Sequence, residues 1–312
     1  MKKLISIVIP AYNEEEVLDE LKRRLQTVMN NCRNYNFEVI IVENGSWDSS
    51  FEKLLHIHAE DTRFKIIQLS RNFGCDGGVT AGLQNATGDA AVIMCADLQD
   101  VPELIPEFIK KWEDGFEVVY AIVQERVGIS WRRRFSSRLF YKIFNRLTNN
   151  TMPENASDFR LIDKKVLKAV NQIGESNRLL RGIIAWTGFK QTGIPFERPP
   201  RFAGESKADF LTVFKLGMNG IFSFSDIPLK IATVLGFVLS ALSFAVLFIE
   251  FGIYLIYGRE VPGVATIIFV MSFLFGMLFL ILGVLGEYIS RIYDETKKRP
   301  LYIIREEVGF NE

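Results

Sequence analysis

Four polar clusters, each placed directly after a short apolar run, hold the residue types that bind a phosphorylated ligand. The first run stops at Ile9-Pro10-Ala11-Tyr12-Asn13-Glu14-Glu15, where an aromatic ring and acids beside a proline can stack on and hydrogen-bond a nucleotide base, although Pro-x-Tyr-Asn is also an ordinary turn. The second ends in Val42-Glu43-Asn44-Gly45-Ser46-Trp47-Asp48, with polar side chains and a glycine turn ahead of Asp48 and Ser49, which suit the opening of a helix. The third, Ser70 to Gly78 (SRNFGCDGG), carries Arg71, a cation able to neutralise a diphosphate, among glycines that let backbone approach a ligand closely. The fourth is Met94-Cys95-Ala96-Asp97-Leu98-Gln99-Asp100. Asp97 and Gln99 stand two apart, so in an extended segment they share one face, and both offer oxygen to a hard divalent cation. Such a cation, Mg²⁺ or Mn²⁺, bridges diphosphate oxygens and stabilises charge on a departing nucleotide.

Clusters like these need a frame that brings them to one place. Leu4 to Pro10, Phe37 to Val42, Phe64 to Leu69, Ala90 to Cys95 and Glu117 to Tyr120 are short apolar runs, as strands buried on both faces should be. Glu15 to Cys32, Ser49 to Ala59, Gly77 to Ala86 and Pro102 to Asp114 read as the helices between them. This alternation predicts an α/β fold with a largely parallel, Rossmann-like sheet, whose ligands sit beyond the carboxyl ends of the strands. The opening Met1-Lys2-Lys3 and its apolar run are too short for a signal peptide and read as a buried first strand.

Charge and cysteine usage narrow the function. The 312 residues carry 37 basic and 37 acidic side chains, so no global field favours nucleic acid. Cys32, Cys75 and Cys95 lack zinc-type spacing and suit a reducing compartment, and the two histidines, His56 and His58, read as surface residues of a helix.

From Pro228 onward the composition changes abruptly. Ile231 to Tyr257 and Val264 to Ile289 are nearly unbroken apolar runs, each long enough to cross about 30 Å of hydrocarbon. A buried hairpin in a soluble protein is the competing reading. Lys215 and Lys230 precede the first run, and Arg291, Lys297, Lys298 and Arg299 follow the second, which places both ends and the α/β domain in the cytoplasm. Trp131 to Arg146 mixes aromatic with basic residues, as a helix at the headgroups does; a solvated basic helix against the core is the alternative. Glu250 falls near the far interface, and Glu287 pairs with Arg291 one turn on. Gly276, Gly283 and Gly286 permit close helix contact, and a homo-oligomer is expected.

In order and spacing, SIVIPAYNEE, VENGSWD, SRNFG and CADLQD resemble the family-2 glycosyltransferases of the GT-A fold. More specifically they resemble the polyprenyl-phosphate sugar synthases of that family, the branch of dolichyl-phosphate mannose synthase and the GtrB-type glucosyltransferases. Asp158-Phe159-Arg160-Leu161, the run Arg201 to Lys207 (RFAGESK) and two C-terminal spans extend the likeness over nearly the whole chain. The resemblance implies that Pro10, Ala11, Tyr12, Glu14, Glu43 and Asn44 bind the nucleoside and that Arg71 serves the donor. Asp97 and Gln99 fall on the metal and diphosphate motif, in which Cys95 replaces the usual first acid. Arg126, Arg133 and Ser137 resemble the positions that hold a lipid phosphate, Arg160 joins this acceptor side, and Arg201 with Lys207 resembles a phosphate clamp.

Residues 1–207 are then the GT-A domain, 208–227 an amphipathic juxtamembrane helix, 228–290 the transmembrane pair and 291–312 a cytoplasmic tail. The implied reaction is inverting transfer of one sugar, glucose from UDP-glucose, to undecaprenyl phosphate; mannose from GDP-mannose on a dolichyl or other polyprenyl phosphate is the alternative. Asp158 acts as base or orients the acceptor, or else merely tethers Arg160 or caps a helix starting near Asp163. A processive polysaccharide synthase would carry Gln-x-x-Arg-Trp, which is absent. A catalytically inactive membrane scaffold is the remaining alternative, encouraged by Cys95.

Overall fold

The computed structural model describes residues 2–124, 156–200, 202, 222, 225–258 and 263–310. They divide into two compact units, Met1–Gly217 with Arg299–Glu312, and Met218–Lys298.

The first unit is built on β1 (Lys3–Ala11), whose Ile5, Ile7, Val8 and Ile9 are wholly buried. Such a strand must be covered on both faces, which parallel crossovers accomplish. It lies between β2 (Tyr35–Glu43) and β4 (Ala90–Ile93), both parallel to it, and β3 (Phe64–Leu69) extends the parallel set beyond β2. Helix α1 (Leu18–Asn31) joins β1 to β2 and buries Leu18, Leu21, Leu25, Val28 and Met29, one apolar stripe at helical spacing. Helices α2 (Ser50–Glu60), α3 (Gly74–Asn85) and α4 (Ile105–Glu113) follow β2, β3 and β4 in turn. The chain therefore runs outward from β1 through β2 and β3, then crosses back to place β4 on the other side of β1. That reversal opens a crevice at the carboxyl ends of β1 and β4.

Beyond β4 the sheet becomes mixed. Its order is β7-β5-β6-β4-β1-β2-β3-β8. Strand β6 (Ala156–Asp163) runs antiparallel between β4 and β5 (Val118–Val123), and β7 (Gln191–Phe196) closes that edge parallel to β5. Between β6 and β7 come α5 (Lys164–Gln172) and α6 (Leu180–Trp186). The Asp163 carboxylate caps α5 by accepting from the Lys165 amide at 2.8 Å, so Asp158 is not that helix's cap.

Two boundaries differ from the sequence reading. Helix α3 begins at Gly74 rather than Gly77, because side chains of neighbouring loops hold its first turn; Cys75 and Asp76 thus lie on a helix and not in a flexible loop. Residues 291–312, read as a tail, hold strand β8 (Ile304–Val308), which pairs antiparallel with β3.

The second unit contains α7 (Ile227–Tyr257) and α8 (Val264–Lys297), with apolar stretches of mean hydropathy 2.4 and 2.1. Phe237, Phe248, Ile256 and Phe279 are each more than 60 % exposed, an apolar surface that water penalises and hydrocarbon does not. Glu287 accepts from Arg291 at 2.9 Å, the pair expected one turn apart. A Cβ on Gly276, Gly283 or Gly286 would meet nothing within 4 Å, so these glycines do not mediate the contact between the two helices. The proposed interfacial helix Trp131–Arg146, with Arg126, Arg133 and Ser137, lies outside the described residues. So do Arg201, Lys207, nearly all of 208–224 and the side chain of Glu250.

Candidate active site

The loops after β1 and β2 are joined by hydrogen bonds that fix one end of the crevice. The Ala11 carbonyl accepts from the Asn44 amide at 2.9 Å, and the Asn13 amide donates to Ser46 Oγ at 2.9 Å. Asn13 itself sits at φ 53°, with its side-chain oxygen accepting from Trp47 N at 3.1 Å. The Glu14 amide donates to Ser50 Oγ at 3.0 Å, and Glu15 accepts from Ser49 N at 3.0 Å. Glu43, the last residue of β2, is wholly buried. Its Oε1 accepts from the Ser46 amide, while its buried Oε2 makes no hydrogen bond among the described residues. A desolvated acceptor without a donor is costly, and this oxygen has the chemistry to accept from a ligand N–H.

Asn44, expected beside Glu43 as a base contact, is engaged otherwise. Its amide nitrogen donates to the Gly74 carbonyl at 2.8 Å and its oxygen accepts from Phe73 N at 2.9 Å, so both halves of the side chain clamp the start of α3. The Asn72 side chain adds a third restraint by accepting from Gly74 N at 2.7 Å. Gly45 makes the clamp possible: at φ 71° its missing Cβ would stand 2.6 Å from the backbone carbon of Arg71. On this support the Arg71 guanidinium stacks 4.1 Å over the Phe73 ring and remains solvent-exposed at the loop surface.

The loop after β4 departs from the extended geometry assumed for it. Strand pairing ends at Ile93, and Asp97 Oδ1 accepts from the Gln99 amide at 3.1 Å across Leu98, which has φ 57°. Asp97 and Gln99 are brought together by a tight turn, not by strand alternation. Gln99 Nε2 reaches the Pro199 carbonyl at 3.3 Å. Asp100 organises the turn: its carboxylate accepts from the Cys95 amide at 2.9 Å, with Arg198 3.8 Å away. Burial pushes the Asp100 carboxyl up to about 6, against the Cys95 amide and Arg198. The Cys95 thiol is raised well above its ordinary range, by a hydrogen bond with Cys75 and by burial.

Among the described residues no three His, Cys, Asp or Glu side chains could close around a metal. Asp97 and Gln99 are two side chains that supply at most three oxygens between them. That set fits a cation arriving with diphosphate oxygens and water, as Mg²⁺ commonly does, and does not fit a resident all-protein cage.

Strand β6 brings Asp158 alongside β4. Its side chain is 58 % exposed and stands 3.9 Å from Arg160, too far for a firm tether. Arg160, placed by the sequence reading on the acceptor side, is buried and turned into the protein. It donates to the carbonyls of Ser157 at 2.7 Å and Asp158 at 3.3 Å, which makes it a brace for the Asp158 backbone. Opposite lies Asp76 on the first turn of α3, accepting from Leu180 N at 3.4 Å. Burial, then the Asp158 charge, push the Asp76 carboxyl up to about 6, opposed by the Leu180 amide, Arg181 and Arg178.

Asp76, Asp100 and Arg198 escaped the sequence reading. Asp76 and Asp100 lie inside runs already quoted, Asp76 as the one acid of Ser70 to Gly78 and Asp100 as the second acid of the run that holds Asp97. Burial of a carboxylate was the missing signal, and it depends on β6 and α6 covering the loops.

The Glycosyl transferase family 2 sequence profile matches residues 6–170. An uncharacterized glycosyltransferase of Synechocystis sp. is 41% identical over 300 residues, covering 96% of this chain and 94% of that protein. A prophage bactoprenol glucosyl transferase homolog of Escherichia coli is 34% identical over 306 residues, 96% and 98% of the two chains. The bactoprenol glucosyl transferase of Shigella phage SfV is 33% identical over 306 residues, 97% and 98%.

Proposed function

The chain belongs to glycosyl transferase family 2, and on that premise we propose that it transfers one glucose, with inversion, from UDP-glucose to undecaprenyl phosphate at the cytoplasmic membrane face. The observation that carries the donor half is the buried Glu43 oxygen that has no partner among the described residues. Uracil presents one imino N–H, which that oxygen accepts while Ser46 keeps the other. Guanine presents an imino N–H and an adjacent amino group, which together call for both oxygens of one carboxylate. Tyr12, Pro10 and Ala11 form the remaining wall of the base pocket, with Glu14 beside them.

The acceptor half is supported by the two bactoprenol glucosyl transferase relatives matched along nearly their whole length. Two membrane crossings return a chain to the side it left, and the sheet unit contains the segments on both sides of the helix pair. The sheet and both termini therefore share one side, and the basic flanks of α7 and α8 make it the cytoplasm. Homo-oligomers through the open glycine face of α8 belong to the same reading.

Positioning does most of the chemical work. A phosphate monoester has a second pKa of about 6, so near neutrality it attacks the anomeric carbon without needing a base. Asp158 then orients the acceptor or takes a residual proton. Arg71 stabilises charge on the leaving diphosphate, helped by Arg201 and Lys207, while Arg126, Arg133 and Ser137 hold the lipid phosphate. Asp97 and Gln99 would hold Mg²⁺ or Mn²⁺, which when bound neutralises the diphosphate. Calorimetry with uridine and guanosine diphosphates in Mg²⁺ tests the donor assignment. Tighter uridine diphosphate binding is expected, and preference for the guanine nucleotide would replace glucose from UDP by the mannose alternative.

A further inference from the structure

We infer that the segment after the second long helix, Leu301–Phe310, is a positioning element of the donor site, in which Tyr302, Ile303 and Ile304 hold the loop that bears Arg71. This rests on the functional reading only in calling that loop the donor's. Helix α8 ends with Lys298 at φ 49°, Pro300 prevents its continuation, and the chain then joins the sheet. Strand β8 pairs with β3 from Ile66↔Val308 to Leu69↔Ile304, with an irregularity between Gln68 and Leu69. At that irregularity the Ser70 amide donates to the Ile303 carbonyl at 2.9 Å. Ser70 immediately precedes Arg71, so the last fixed backbone bond before the cation is made by the C-terminal segment.

Packing repeats the restraint from the other side. Tyr302, Ile304 and Phe310 cover a buried cluster of Ile40, Val42, Ile67, Leu69 and Ala81, and Phe73 packs onto the same cluster. Phe73 is the ring beneath the Arg71 guanidinium. The Tyr302 hydroxyl bonds Gln84 of α3, and a Cβ on Gly77 would lie 3.5 Å from the Leu301 carbonyl and 2.9 Å from the Phe73 Cβ. The backbone before Arg71, the ring under it and the helix after it therefore all bear on residues 301–304. Charged residues occupy the centre of β8, Arg305-Glu306-Glu307, and all three are exposed. An edge strand contributing little core of its own is better explained by what it holds in place.

The test compares the full-length Tyr302→Ala/Ile304→Ala chain with Ile194→Ala, a truncation in β7 at the opposite sheet edge, and with Tyr302→Phe, which keeps the ring. Amide exchange is read over Ser70–Gly77 and over β1, with steady-state kinetics and uridine diphosphate affinity beside it. In the double variant, protection over Ser70–Gly77 should fall about ten-fold or more while β1 is unchanged. Donor KM and nucleotide Kd should rise roughly ten-fold, with kcat and acceptor KM within about two-fold, because a displaced cation weakens donor binding first. Tyr302→Phe should restore most of the affinity, and Ile194→Ala should leave the loop protected. Unchanged loop protection, equal loosening in Ile194→Ala, or a loosened loop with unaltered nucleotide affinity would each overturn the inference. Absence of any lipid product from the wild-type chain would instead remove the functional reading, and exchange with nucleotide affinity would still decide this one.

Discussion

Replacing Glu43 with glutamine should weaken the donor while leaving the sheet folded. The substituted side chain keeps the shape and one carbonyl oxygen, which can go on accepting from the Ser46 amide. The change falls on Oε2, the buried oxygen with no partner among the described residues, which becomes an NH₂. An unsatisfied buried acceptor costs about 1–3 kcal/mol, and the amide nitrogen replacing it is itself unsatisfied, so stability should move by no more than about 1 kcal/mol. Donor binding loses more. A hydrogen bond to a charged acceptor is worth about 1.5–3 kcal/mol, and the new N–H faces the base N–H it should receive. At about 1.4 kcal/mol per ten-fold, donor KM should rise roughly 10- to 150-fold. KM for UDP-glucose at saturating polyprenyl phosphate, with the unfolding midpoint in detergent, measures both quantities. A donor KM within two-fold of wild type, or an equal loss for the acceptor, would refute the assignment of this oxygen to the base.

Asp97→Ala should reduce turnover at least about 100-fold while the sheet stays folded, since the Asp97 carboxylate braces a turn after β4 and not the strands themselves; lipid-product formation and the unfolding midpoint check it. Gly45→Ala should destabilise by about 1 kcal/mol or more and raise donor KM, because the added methyl meets the Arg71 backbone at an unfavourable φ; thermal unfolding and donor kinetics read the two effects. Asp76 gives stability a pH dependence. Its folded carboxyl lies near 6 against an ordinary 3.8, so the folded state holds the proton more tightly, and this contribution is full below 3.8 and fades as pH rises through 6. The loss is of order 3 kcal/mol, and Asp76→Asn should remove it from a midpoint-against-pH series.

The first four strands were readable because burial on both faces leaves an uninterrupted apolar run, as in Ile5 to Ile9. Strand β6 was not, since Ser157, Asp158 and Arg160 interrupt its apolar residues, and only the structure reveals that Arg160 points inward. The start of α3 was misplaced because Gly-Cys-Asp-Gly-Gly has poor helix propensity; its first turn depends on Asn44 and Asn72, distant or outside the helix. For the candidate site, residue types picked out loops that the fold gathers at the strand ends. Geometry then divided them: Glu43 keeps one buried oxygen without a hydrogen bond among the described residues, whereas Asn44 and Arg160 are engaged by backbone. Strand β8 was hidden by its charges, which an edge strand tolerates and a central one does not.

The most direct measurement supplies purified protein in lipid vesicles with Mg²⁺, undecaprenyl phosphate and a set of nucleotide sugars, and determines the mass of the lipid product. Undecaprenyl phosphate carrying one hexose, formed from UDP-glucose and lost in Asp97→Ala, is the predicted result. Sugar recovered only on a water-soluble acceptor, or hydrolysed with the lipid unchanged, would contradict the account.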